Sequence, residues 1–228
     1  MFKFINRKEE KSIVLIPGWA FDSKIFATMD LKYNYFLYSN KNKSIAGFED
    51  ELKNLLSEQH INKISLLGWS HGAFLSYDFA YKNPELIDEL ILIGIKIKYE
   101  KKILEDVKKY IIKNKVAYLY KFYAECFCKE DEKYFAWFRK NLLNDYLQDM
   151  ETEDLIDGLD RLSCAEINPN LLNGIKEIKI VHGEKDKIST IDEAIAFKNN
   201  LPHAKLIVFN DSGHLPFLKE NFKELLYA

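Results

Sequence analysis

No stretch of the 228-residue chain approaches the ~20 apolar residues that a membrane-spanning helix needs. The opening run MFKFINRKEEKSIVL is broken by charge at nearly every other position, so it lacks the ~7–15-residue apolar core of a secretory signal. Cysteine is scarce. Cys126, Cys128 and Cys164 do not pair off, and they read as free thiols of a reducing compartment rather than a disulfide frame. An excess of one charge is missing too: 33 basic residues face 35 acidic ones, for a net charge of −2, which argues against a globally basic nucleic-acid binder. Arginine is nearly absent, limited to Arg7, Arg139 and Arg161. The expectation is a soluble cytoplasmic protein with neither membrane nor nucleic acid as a partner.

What is present is core-forming material. Hydrophobic residues make up 47% of the chain, including 16 Phe, 13 Tyr and 3 Trp, which excludes disorder. The length suits one domain with a full core. Short apolar runs at 12–16, 33–38, 64–67, 90–93, 178–181 and 206–209 show little alternation, the pattern of strands buried on both faces of a parallel sheet. Residues 2–5 offer an edge strand. Helix-like segments at 46–59, 71–82, 188–200 and 215–227 lie between or after them. Strand alternating with helix predicts an α/β fold with a mostly parallel, doubly wound sheet. From 96 to 167 the rhythm breaks into helical patterns dense in charge and aromatics, with no Pro/Gly/Ser-rich linker. The expected organisation is a single domain, 1–228, with a helical cap inserted at 96–167.

The strongest local signal is Gly68-Trp69-Ser70-His71-Gly72, directly after an apolar run and opening a helical one. A G-x-S-x-G pattern between strand and helix is a nucleophile elbow, in which a strained turn presents the serine at the sheet's carboxyl edge. The alternative is a glycine-rich turn with a capping serine. A hydroxyl is a poor nucleophile unless a base takes its proton and an acid orients that base. Asp186 follows the run at 178–181, in VHGEKD, and His214 follows the run at 206–209, in DSGH. Ser, acid, His is the chain order expected of such a site, and all three loops leave the same sheet edge. Asp211, three residues before the histidine, reads as a turn residue, and Glu184 as a solvated acid. His182 reads as packing, and His60 and His203 as surface. The developing oxyanion needs two N–H donors. The backbones of His71 and Trp19 are the candidates, with Gly18 allowing the turn and the Trp19 ring also a candidate for the pocket wall.

These residues resemble the α/β-hydrolase superfamily over essentially the whole chain, and within it the pimeloyl-ACP methyl ester esterases of biotin synthesis. The matching pieces are PGWAFDSKIF, GWS at the elbow, HGEKDKI around the acid and SGHLPF around the histidine. The departures are Pro17-Gly18 for a His-Gly pair, Ala73 for the second glycine after the elbow, SNKNKS at 39–44 for a glycine-rich turn, and a short N-terminus. The resemblance implies a serine carboxylesterase that cleaves a methyl-capped pimeloyl chain on an acyl carrier protein, with no metal or organic cofactor.

The cap carries its own pattern. Residues 96–129 hold ten Lys against four acidic residues, while 130–167 hold four basic against eleven acidic. A basic helical segment can steer an acidic carrier; a solvated face is the plainer reading. Relatives hold the carrier with cap arginines, which nominates Arg139 and Arg161, with Lys133 and Lys140 behind them. Nine of the 21 residues from 118 to 138 are aromatic. Most must be packing, but Phe122, Trp137 and Phe138 are candidates for an apolar acyl channel. Cys126-x-Cys128 has no neighbouring His or second Cys pair, so no metal site is expected. Two alternatives stand beside the carrier-linked esterase: a general esterase or thioesterase acting on small molecules, and a catalytically silent ligand receptor.

Overall fold

The computed structural model describes residues 2–39 and 47–227. Among them seven strands form one sheet: β1 (Phe2–Ile5), β2 (Ser12–Ile16), β3 (Asn34–Tyr38), β4 (Ile64–Trp69), β5 (Ile87–Ile93), β6 (Ile178–Gly183) and β7 (Lys205–Phe209). Their spatial order is β1-β3-β2-β4-β5-β6-β7, with β1 antiparallel to β3 and all other neighbours parallel. The continuous apolar runs follow from this arrangement. Residues 13–16, 66–67 and 90–93 have no accessible surface, because helices cover both faces of a parallel sheet. Helix α1 (Phe48–Glu58) links β3 to β4; α2 (His71–Lys82) lies on β2, β4 and β5. The helix expected at 46–59 begins later, and Asn40 to Ala46, with most of the SNKNKS segment, lie outside the described residues.

Four helices stand between β5 and β6: α3 (Lys101–Glu125), α4 (Glu132–Asn141), α5 (Leu143–Asp149) and α6 (Thr152–Cys164). At their base an antiparallel bridge joins Lys98 to Glu166, and the Ile167 amide donates to the Ile97 carbonyl at 2.9 Å. Helix α3 is broken at Asn114 (φ −162°, ψ 88°), whose side chain recaps the chain by accepting from the Ala117 amide at 3.0 Å. Three buried side chains fasten this helical layer to the loop after β2. The Trp19 indole donates to the Leu155 carbonyl at 2.9 Å, Tyr123 to the Ala20 carbonyl at 2.7 Å, and Tyr146 to the Asp22 carboxylate at 2.8 Å.

After β6 and β7 the helices are shorter than the sequence pattern suggests. Helix α7 (Ile191–Asn199) begins three residues later than 188, and the Ile188 and Ser189 amides ahead of it donate to the Asp186 carboxylate at 2.8 and 3.0 Å. The segment expected to be helical over 215–227 is a short turn at Pro216–Leu218, an extended Lys219, and α8 (Phe222–Tyr227). Lys219 leaves the helical path to place its ammonium 2.9 Å from the Asp131 carboxylate. No helix of the described residues is long and apolar enough to cross a membrane.

Candidate active site

From β2 the chain runs outward to β3, then crosses back to β4 on the other side. The carboxyl ends of β2 and β4 therefore flank a crevice, the place where open α/β sheets take ligands. Ser70 sits at the end of β4 with φ 55° and ψ −117°, a left-handed conformation that costs a non-glycine residue about 1–3 kcal/mol. The turn is forced by close packing. A Cβ on Gly68 would overlap the Ser76 hydroxyl and the Gly72 carbonyl, and one on Gly72 would overlap the Ile16 and Pro17 carbonyls. The Ser70 amide donates to the Ile93 carbonyl at 2.8 Å, which pins the elbow to the end of β5.

Asp186 and His214 meet on the adjoining loops. The His214 Nδ1–H donates to Asp186 Oδ2 at 2.6 Å, with both side chains 1% exposed. The other carboxylate oxygen holds the Ile188 and Ser189 amides. Burial works against the Asp186 charge, but the His214 imidazole, His182 and the Ser189 amide together hold its carboxyl below the ordinary range. With Nδ1 committed as donor, His214 Nε2 carries the lone pair, and it has no hydrogen-bond partner among the described residues. Its ring lies against Gly94, where an added Cβ would stand 2.9 Å from Cε1. Ser70 bonds to Ile93, the residue just before Gly94, so serine and imidazole share one rim. The serine–imidazole hydrogen bond itself is not made in this geometry. Such bonds often tighten only when substrate is present. His182 is buried, donates Nε2–H to the Ser189 carbonyl at 2.8 Å, and sits 3.7 Å from Asp186 Oδ2. Asp211 pairs with Lys219 at 3.2 Å, Glu184 is exposed, and neither contacts His214.

The loop after β2 comes right up to the serine: a Cβ on Gly18 would lie 3.3 Å from the Ser70 Cβ. Helix α2 starts at His71, so the first amide of α2, which has no intrahelical acceptor, stands beside Ser70. The Trp19 ring is clamped under α6, edge-on to Phe122 at 5.0 Å and against Gly158, where a Cβ would reach 2.7 Å from the indole. Trp19, His71, Leu75, Met150 and Leu155 border a cavity of about 50 Å³. Ser70 itself does not border this cavity and is only 8% exposed. The His71 imidazole is pushed down to about 4, chiefly by burial and secondarily by the Arg161 charge.

The cap candidates part company. Arg161, partly buried, shares a groove of about 350 Å³ with His71, Phe74, Asp78 and Cys164, and its Nε has no partner among the described residues. Arg139 is exposed with its guanidinium over the Phe135 ring at 5.8 Å, and Lys140 is exposed. Lys133 is paired with Glu220 at 2.7 Å. Phe138 has no accessible surface: it is packed among Tyr123, Phe127, Phe135 and Tyr146. The structure thus uses Phe138 to fill the cap's interior rather than to line a channel. Phe122 packs on Trp19 and Phe21.

Sequence reasoning missed Tyr99, a neighbour of the Ser70 hydroxyl: burial pushes its phenol up to about 12, and the nearby serine pulls the other way. Nothing in IKYE marks that tyrosine. Gly94 was also missed, although a lone glycine just past a strand run is a readable signal of close approach. Among the described residues no three His, Cys, Asp or Glu side chains converge on a metal position, and all three cysteines are free.

The fold is that of the α/β-hydrolases. A solved structure described as MGS-M2, an α/β-hydrolase enzyme from a Medee basin deep-sea metagenome library, matches with a TM-score of 0.81 at 16% identity, covering 100% of this chain and 91% of that one. No protein-family model matches the chain. Among curated proteins it is similar to the pimeloyl-[acyl-carrier protein] methyl ester esterase of Nitrosomonas europaea, 24% identical over 228 residues, with 90% of this chain and 89% of that protein covered. The protein of the same name from Legionella pneumophila strain Corby is 27% identical over 223 residues, with 90% and 88% covered. The chain has the α/β-hydrolase fold, and the curated enzymes to which it is similar along nearly its whole length are named as methyl ester esterases.

Proposed function

We propose that this protein is a serine carboxylesterase in which Ser70, His214 and Asp186 form the catalytic triad. The observation that carries the reading is the buried 2.6 Å bond from His214 Nδ1 to Asp186, on the rim where the elbow holds Ser70. That bond fixes the tautomer and leaves Nε2 as the base. Ser70 Oγ attacks the ester carbonyl while Nε2 takes its proton. The Trp19 and His71 amides receive the oxyanion, and His214 returns the proton to the leaving alcohol. Water then reverses the sequence on the acyl-serine. None of these steps draws on a metal or an organic cofactor.

The finer reading is that the substrate is the methyl ester of a pimeloyl chain borne on an acyl carrier protein, in the cytoplasm, with methanol released. The similarity to enzymes of that name supports it. So does Arg161, a cation with an unused Nε in a groove that starts at His71. Arg139 and Lys140 are further carrier contacts. Because Ser70 is nearly closed off, we infer that the cap, residues 96–167, shifts to admit the acyl chain. A general small-molecule esterase is the second reading, favoured by Lys133 being tied to Glu220 and Phe138 lying in the cap interior.

Two measurements test these levels separately. Ser70→Ala should lower kcat on a p-nitrophenyl ester by about 10⁶-fold; retention of activity would overturn the triad. Raising salt should slow hydrolysis of a carrier-linked ester far more than that of a free short-chain ester, since an exposed charge interface is screened. Equal slowing would leave the general esterase.

A further inference from the structure

The His214 turn is held from outside at every side. Its amide donates to the Cys126 carbonyl at 2.8 Å, and its carbonyl accepts from the Trp69 indole at 2.8 Å. The preceding Gly213 amide donates to Asp131 Oδ2 at 2.7 Å, and the Ser212 carbonyl accepts from the Lys185 amide at 3.0 Å. Cys126 and Asp131 both belong to the stretch joining α3 to α4, at the foot of the cap. Contact there is flush: a Cβ on Gly213 would stand 2.6 Å from the Cys126 carbonyl and 2.9 Å from the Cys128 nitrogen.

Asp131 is the centre of this seam. It is 3% exposed, accepts from the Gly213 and Cys128 amides through one oxygen, and faces Lys219 at 2.9 Å with the other. Lys219 is also buried, and it reaches the Asp211 carbonyl and carboxylate at the opposite end of the same turn. An isolated buried ion pair is weak evidence for stability, because apolar side chains fill such a space as well or better. A carboxylate that takes one amide from the cap and one from the histidine turn does something apolar packing cannot: it fixes their separation. A catalytic base must be held within about 0.5 Å of its working position.

We propose that Asp131 is a positioning residue for His214, acting through the Gly213 amide, so that placement of the cap foot and of the imidazole are one variable. The proposal rests on the triad reading. Asp131→Ala should lower kcat for p-nitrophenyl butyrate at least tenfold with KM within twofold. It should also move or broaden the low-field proton resonance of the His214–Asp186 bond. Asp131→Asn keeps an oxygen for the two amides, while Lys219 keeps Asp211; it should recover kcat to within threefold of wild type. Leu52→Ala, a buried position in α1, supplies a comparably destabilised control that keeps its kcat and its low-field proton. Wild-type kcat and an unmoved proton in folded Asp131→Ala would overturn the proposal, as would equal losses in the Ala, Asn and Leu52 variants. Ser70→Ala keeps the two ideas apart: if it stays active the triad reading fails, and if it is dead while Asp131→Ala is unaffected only the positioning role fails.

Discussion

Gly94 gives a quantitative handle on how tightly the site is built. It follows β5 in the left-handed region, φ +59°, and a Cβ there would lie 2.9 Å from His214 Cε1 and 3.1 Å from Nδ1. Carbon atoms prefer about 3.5–4.0 Å, so Gly94→Ala must push the ring by roughly 0.5–1 Å or twist the backbone. A left-handed alanine adds about 1–2 kcal/mol, and the clash adds to it, for an expected stability loss of about 2–3 kcal/mol in urea unfolding. The ring cannot move that far and keep its 2.6 Å bond to Asp186, so the imidazole leaves its working position. Misplacement by about 1 Å costs on the order of 10²-fold in rate. The assay is steady-state hydrolysis of p-nitrophenyl butyrate beside Gly174→Ala, where the new Cβ would meet only a Pro84 carbon at 3.7 Å. Gly174→Ala should match wild type in both measurements. Wild-type kcat in Gly94→Ala would mean that the imidazole position seen here is not the catalytic one.

Two further outcomes follow from the same geometry. Ser70→Gly should abolish ester hydrolysis yet raise stability by about 1–3 kcal/mol in urea unfolding, because glycine tolerates φ 55° without strain. The buried His71, with its imidazole pushed down to about 4, binds its proton less readily folded than unfolded. Its contribution is complete above the unfolded value of about 6.5 and is lost as pH falls from there toward 4, by about 3 kcal/mol in all. Urea titrations across that window should show the loss in wild type and a flatter profile in His71→Gln; parallel profiles would refute it.

The parts of this protein that sequence reveals are those written locally. Ser70, Asp186 and His214 each follow an apolar run, so reading the strands already puts them at one sheet edge. Asp131 was illegible for the opposite reason: it meets the Gly213 amide across 82 residues, and nothing near either position marks the other. The place of Phe138 is not legible in the sequence, because an aromatic at helical spacing looks the same whether it walls a channel or fills a cap; in the structure it packs on Tyr123, Phe127 and Tyr146. The final helix was drawn too long because a periodic apolar pattern does not show that Lys219 will leave the helix to reach a buried carboxylate.

The most direct test of the account is to treat the protein with a fluorophosphonate ester and map the adduct by peptide mass spectrometry. The account predicts one adduct per chain, on Ser70, absent in Ser70→Ala and formed far more slowly in His214→Ala. An adduct on another residue, or none on folded protein, would contradict it.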